Sequence, residues 1–186
     1  MNIIIKILFF SHIIFCLLGC SNSNENALIP VKEKIENFIR NEKVGNLTLI
    51  ITENDDSESL YDTHLLYIIN NENKKTYKLF SLSRASIENK LISLGNGQFS
   101  YEYFTGGNSV NAECYQLIEF TENNVYLVGI YKGFEDIDND KKKDFYVLVS
   151  ENENTAAANQ KYKKEKLKII NHIFEYPKNF EKPDAF

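Results

Sequence analysis

Between Gly133 and Phe145 the chain reads Gly-Phe-Glu-Asp-Ile-Asp-Asn-Asp-Lys-Lys-Lys-Asp-Phe. Asp136, Asp138, Asp140 and Asp144 follow the spacing D-x-D-x-D-x-x-x-D. In a tightly coiled loop, alternate residues turn their carboxylates toward one centre. A hard cation such as Ca²⁺ takes about six to eight oxygens at roughly 2.3–2.6 Å. Four carboxylates, the Lys142 carbonyl and water make up such a set. The ion's role would be structural, converting repulsion among the carboxylates into rigidity. The stretch has a second reading. Lys141, Lys142 and Lys143 stand beside the four aspartates, and a charge-balanced, solvated hairpin loop needs no metal.

The stretch resembles two known loop types, over about ten residues. One is the EF-hand loop. The other is the strand–loop–strand calcium loop of FG-GAP and VCBS repeats, and the match to it is better. The EF-hand takes a bidentate Glu at its twelfth position, where this chain has Val147. Both families place Gly after the third Asp, at the sharp turn. Here it is Lys141, which adopts a positive φ at a cost of about 1 kcal/mol.

Other chemistry-bearing residues form no recognisable motif. His64 and His172 sit in no H-x-x-x-H spacing. Cys114 with either histidine would make a nucleophile pair, but a lone cysteine among strand residues is usually a small core residue. Ser83 and Ser86 lie in no G-x-S-x-G elbow. Glu113 and Glu119 would serve as glycosidase carboxylates only if the fold brought them together. Phe99, Tyr101 and Tyr103 share one face of a strand. They read first as a sheet face packed on a helix, and second as an exposed strip for sugar or peptide.

The first twenty residues state a destination. Lys6 is a small basic n-region. Ile7 to Leu18 is apolar apart from Ser11 and His12, and Leu17-Leu18-Gly19-Cys20 closes the run. About a dozen apolar residues cannot cross a bilayer core of ~30 Å, so the pattern is a secretory leader. The closing tetrapeptide resembles the lipobox of bacterial lipoproteins. That resemblance implies cleavage before Cys20, lipidation of its thiol, and acylation of the new amine. Acyl chains contribute ~0.8 kcal/mol per buried CH₂, which makes such an anchor effectively permanent. Ser21 after the cysteine implies sorting to the outer membrane. Ser21-Asn22-Ser23-Asn24-Glu25-Asn26 follows as a flexible tether.

Without residues 1–19 about 167 residues remain, enough for one domain with a core. The leader holds one of the 21 basic residues and none of the 26 acidic ones, so the mature net charge is −6. That balance argues against nucleic acid as a partner. Richness in Asn, Lys, Ile, Tyr and Phe matches AT-rich coding and carries no functional meaning. Cys16 leaves with the leader and Cys20 takes lipid. Cys114 then stands alone, so the mature chain forms no internal disulfide.

The elements that position these residues read as α+β. Val31, Ile35, Phe38 and Ile39 recur at i, i+4, i+7 and i+8 behind Pro30, and predict a helix over 30–43 stopped by Gly45. From residue 46 the period becomes two. Strands are expected over 47–52, 65–69, 77–82, 87–94, 99–103, 115–120, 125–131 and 145–149. Gly95-Asn96-Gly97 makes a tight hairpin. About seven short strands give an antiparallel meander. For 160–176, Ile169, Ile170, Ile173 and Phe174 favour a helix, with a strand as the alternative, and Pro177 ends either. The expected organisation is a leader over 1–19, a tether over 20–29, one domain over 30–177 and a tail over 178–186.

Export, small size, acidity and the lack of catalytic motifs point to a non-enzymatic lipoprotein, anchored in the outer membrane and binding a protein partner, of inhibitor or immunity type. The alternatives are a calcium-stabilised structural or adhesion-like module, and a hydrolase of cell-envelope material.

Overall fold

The computed structural model describes residues 26–32, 34–55, 63–104, 110–111, 113–151 and 161–180. Period-two hydrophobicity dominates these residues, and their regular structure is almost wholly strand. β1 (Phe38–Val44), β2 (Leu47–Glu53), β3 (His64–Asn70) and β4 (Thr76–Leu82) form one antiparallel meander sheet. A single 3-10 turn, Arg84–Ser86, leads to a second, built from β5 (Leu91–Gly95), β6 (Gln98–Phe104), β7 (Glu113–Phe120) and β8 (Val125–Tyr131). β9 (Gly133–Glu135), β10 (Asp144–Ser150) and β11 (Tyr162–Lys166) form a third sheet, with β10 in the middle. β12 (Lys168–Ile170) and β13 (Ile173–Glu175) make a closing hairpin.

The α+β expectation is therefore wrong: the fold is all-β among the described residues, and its strands divide among four small sheets instead of one meander. The helix expected over 30–43 is an extended segment followed by β1. Asn37 takes φ 56°, which a helix does not tolerate mid-run. Gly45, read as a helix stop, is the first central residue of a two-residue hairpin turn, with Val44 paired to Leu47. Its φ of 61° suits a type II′ turn. A fourteen-residue helix is marginal by itself, whereas β1 satisfies the whole open edge of β2. The C-terminal helix is likewise replaced by strands. Asn171 and His172 both take positive φ, 50° and 65°, and turn β12 into β13 with Ile170 opposite Ile173. Of the four residues whose helical spacing suggested a buried face, Ile169, Ile170 and Ile173 are exposed and Phe174 is buried, together with Leu167.

The second sheet is buried on both faces. Leu91, Tyr101, Cys114, Ile118, Val125 and Ile130 pack with Leu49, Ile51, Leu66 and Ile68 of the first sheet. Leu117, Tyr126, Val128 and Tyr131 pack with Phe145, Val147, Val149, Leu167 and Phe174 on the other side. Tyr101 and Phe99 thus face a sheet, not a helix. Phe80 meets Tyr101, and Phe120 meets Phe99, edge-on with centroids 6.1 and 5.5 Å apart. Strand β8 contributes to both clusters by alternation and carries a bulge: Leu117 pairs with Gly129 but Ile118 pairs with Leu127. The extra residue shifts the in–out alternation by one.

β8 is also the outer strand of its sheet, and its open main chain is covered at both ends. Leu28 N–H donates to Val125 O at 2.7 Å. At the other end the Tyr176 hydroxyl bonds to Ile130. The N-terminal segment runs on so that Val31 N–H donates to Thr76 O on β4, strapping the first two sheets together. No helix among the described residues is long and apolar enough to cross a membrane.

Candidate metal centre

The aspartate loop joins β9 to β10, with residues 136–143 between two paired strands whose register is Asp144–Glu135, Phe145–Phe134 and Tyr146–Gly133. The stem is apolar and stiff. Phe134 stacks on Phe145 with centroids 4.4 Å apart, and Lys143 lies over the Phe134 ring at 5.8 Å.

The loop coils around its own carboxylates. Asp136 accepts from Asp140 N–H at 3.1 Å and from Lys141 N–H at 2.9 Å. Asp138 accepts from Asp140 N–H at 3.3 Å, and Asp140 accepts from Lys142 N–H at 2.8 Å. Asn139 and Lys141 sit at φ 61° and 69°. Lys141 thus takes a left-handed turn that glycine adopts more readily, and three main-chain N–H groups held by carboxylates offset its strain.

One carboxylate oxygen from each of Asp136, Asp138, Asp140 and Asp144 lies within 4.8 Å of every other. Oxygens on opposite sides of a Ca²⁺ at about 2.3–2.6 Å are separated by up to about 5 Å, so the spacing of the four carboxylates is compatible with one shared ion. Asp136, Asp138 and Asp140 are exposed. Asp144, at the start of β10, is only 8% exposed, and its Oδ2 is buried with no hydrogen-bond partner. A buried carboxylate oxygen without a partner is costly unless a cation or donor completes it.

A cation already approaches this centre, and it comes from a place the sequence reading did not consider. Lys166, on β11, puts its ammonium 2.7 Å from Asp144 Oδ1 and 3.1 Å from Asp138 Oδ2. The bond from Lys166 holds the Asp138 carboxyl below its usual range, and the two carboxylates hold Lys166 above the usual lysine range. Among the described residues no ion pair joins Lys141, Lys142 or Lys143 to these aspartates. Their suggested neutralising role falls instead to a residue 22 positions beyond Asp144. Its signal in sequence is weak: Lys166 is one of four lysines in Lys163–Lys168. It becomes legible only through the β10–β11 register, in which Lys166 opposes Tyr146. Glu135 receives Lys164 from the same strand.

The remaining candidates lie apart from this loop. Cys20 falls outside the described residues. Cys114 is buried on β7, and burial pushes its thiol up to about 12, the opposite of an activated thiolate. His64 is buried at the start of β3 beside the Thr63 hydroxyl. His172 stacks on Tyr126 with centroids 3.9 Å apart and bonds Glu119. Glu113 and Glu119 occupy opposite ends of β7, about 20 Å apart at ~3.3 Å per residue, beyond the carboxylate separations of glycosidases. Ser86 is structural: its hydroxyl accepts from Phe104 N–H at 2.9 Å and its carbonyl accepts from Tyr101 at 2.6 Å.

No protein-family model, curated protein or solved structure matches this chain.

Proposed function

We propose that this chain is a non-enzymatic, lipid-anchored module of the bacterial cell envelope, with its third sheet stabilised by Ca²⁺. The ion would be held by Asp136, Asp138, Asp140 and Asp144, with the Lys142 carbonyl and water completing the set. One observation carries the metal reading: Asp144, whose buried Oδ2 has no hydrogen-bond partner, is one of four aspartates whose carboxylates cluster. Uncompensated, four carboxylates at this spacing repel, and a divalent cation turns that repulsion into a crosslink between β9, the loop and β10. The anchor reading rests on Leu17-Leu18-Gly19-Cys20, and Ser21 supports an outer-membrane address.

Thermal melts of the mature chain in EDTA and in millimolar Ca²⁺ test the metal reading, alongside an Asp138→Asn, Asp140→Asn variant. A rise in melting temperature with Ca²⁺ that the variant lacks is the expected result. Equal melts in both conditions would reduce the loop to a lysine-balanced turn.

A protein-binding role for the same module has its own support. β1 is the outer strand of the first sheet and carries two half-exposed apolar residues, Phe38 and Ile39. Such an edge accepts an added strand from a partner, and the acidic surface suits a basic one. Retention of an envelope protein on the immobilised mature chain, lost on Phe38→Glu, is the check.

A further inference from the structure

We propose that Lys166 is a tethered counter-ion for the aspartate cage, and that its ammonium and a divalent cation are alternative occupants of one centre. The inference rests on the metal reading above and concerns how that site is regulated. Two of the four cage carboxylates, Asp138 and Asp144, are the ones Lys166 contacts. An ion coordinated by those carboxylates would lie a few ångströms from a second positive charge and would compete with it for the same oxygens.

The geometry provides a way out. The backbone of Lys166 is fixed opposite Tyr146 in the β10–β11 ladder, but its side chain is 42% exposed. The ammonium therefore leaves the cage by side-chain rotation into solvent, with no strand displaced. Without metal, Lys166 keeps the cage from springing apart. With metal it is expelled, and the loop passes from one crosslink to another. The consequence is a set-point: the lysine weakens the site, so that it fills only where Ca²⁺ is abundant, as outside the cytoplasm.

Calorimetric titration of the mature chain with CaCl₂, compared with Lys166→Met and Lys166→Arg, tests this. Methionine keeps the apolar stem and removes the charge; arginine keeps the charge. Two partly exposed ion pairs predict about tenfold tighter Ca²⁺ binding for Lys166→Met, with no gain for Lys166→Arg. Binding by Lys166→Met alone, with wild type silent, supports the same competition in its strongest form. Equal affinity in wild type and Lys166→Met overturns the counter-ion role and leaves the calcium site standing. No heat with any of the three overturns both readings. Should Lys166→Met fail to fold without metal, Lys166→Gln, which also removes the charge, carries the test: tighter Ca²⁺ binding than wild type is expected, and equal binding overturns the proposal.

Discussion

The hydroxyl of Tyr176 makes both main-chain hydrogen bonds of Ile130: it accepts from the Ile130 N–H at 2.7 Å and donates to the Ile130 carbonyl at 2.9 Å. One side chain from beyond the last strand thus completes the open side of β8 just after its bulge. The position is available because residue 129 is glycine. Its φ is +137°, and a Cβ there would run into the Tyr176 hydroxyl and come within 3.0 Å of Phe174 Cδ2.

Tyr176→Phe keeps the ring and its stack on Phe180 (centroids 4.6 Å apart) but orphans both groups on Ile130. The expected loss is about 2 kcal/mol in urea unfolding. Gly129→Ala, which strains the backbone and displaces the same hydroxyl, should cost about 2–4 kcal/mol. Because both changes break one contact, the double variant should lose less than their sum. Strict additivity would separate the bulge from the tyrosine.

Asn111 performs the same service for the third sheet. β9 covers only Asp144 to Tyr146 of β10, so Leu148 lies past its end. The Asn111 amide donates to Leu148 O at 2.9 Å, and its Oδ1 accepts from Leu148 N–H at 3.3 Å. Asn111→Leu fits by size and satisfies neither group. A drop of about 2 kcal/mol is expected, and faster amide exchange at Leu148 would locate it.

How much of this was legible in sequence follows from the range of the forces. The middle strands were readable because period-two alternation is local: Leu47, Leu49 and Ile51 show it, and Asn96-Gly97 supplies the positive-φ turn that joins β5 to β6. The C-terminal segment admits both periods, whereas the N-terminal one shows helical spacing at Val31, Ile35, Phe38 and Ile39 that the left-handed Asn37 interrupts. Gly45-Asn46 and Asn171-His172 were the clues, each a two-residue hairpin turn flanked by β-branched or leucine residues. The aspartates of the candidate site were visible from spacing alone. Lys166 was not, since its nearness to Asp138 and Asp144 is created by strand register and not by sequence distance.

His64 gives the fold a pH dependence whose sign follows from its burial. Burial lowers its pKa below 6.5, with Arg84 acting in the same sense and Glu53 opposing. The native state therefore prefers the neutral ring, while the unfolded chain takes up a proton near pH 6.5. Stability from this site is present above pH 6.5 and is lost as pH falls through the native-state pKa. The urea midpoint should decline from pH 7 toward 5.5, and His64→Gln, which cannot charge, should flatten the decline. An unchanged slope would overturn the assignment to His64.

Selectivity among cations separates a coordinating cage from a diffuse acidic surface. The four oxygens span up to 4.8 Å, the separation across Ca²⁺, whereas Mg²⁺ requires oxygens at about 2.0–2.1 Å and gives up its water reluctantly. Millimolar Ca²⁺ should therefore raise the melting temperature by several degrees at constant ionic strength, and Mg²⁺ by much less. Asp144→Asn should abolish the difference, because the buried oxygen that lacks a partner becomes a neutral amide. Equal effects of the two ions, unchanged by Asp144→Asn, would mean that general screening of the exposed aspartates accounts for the response.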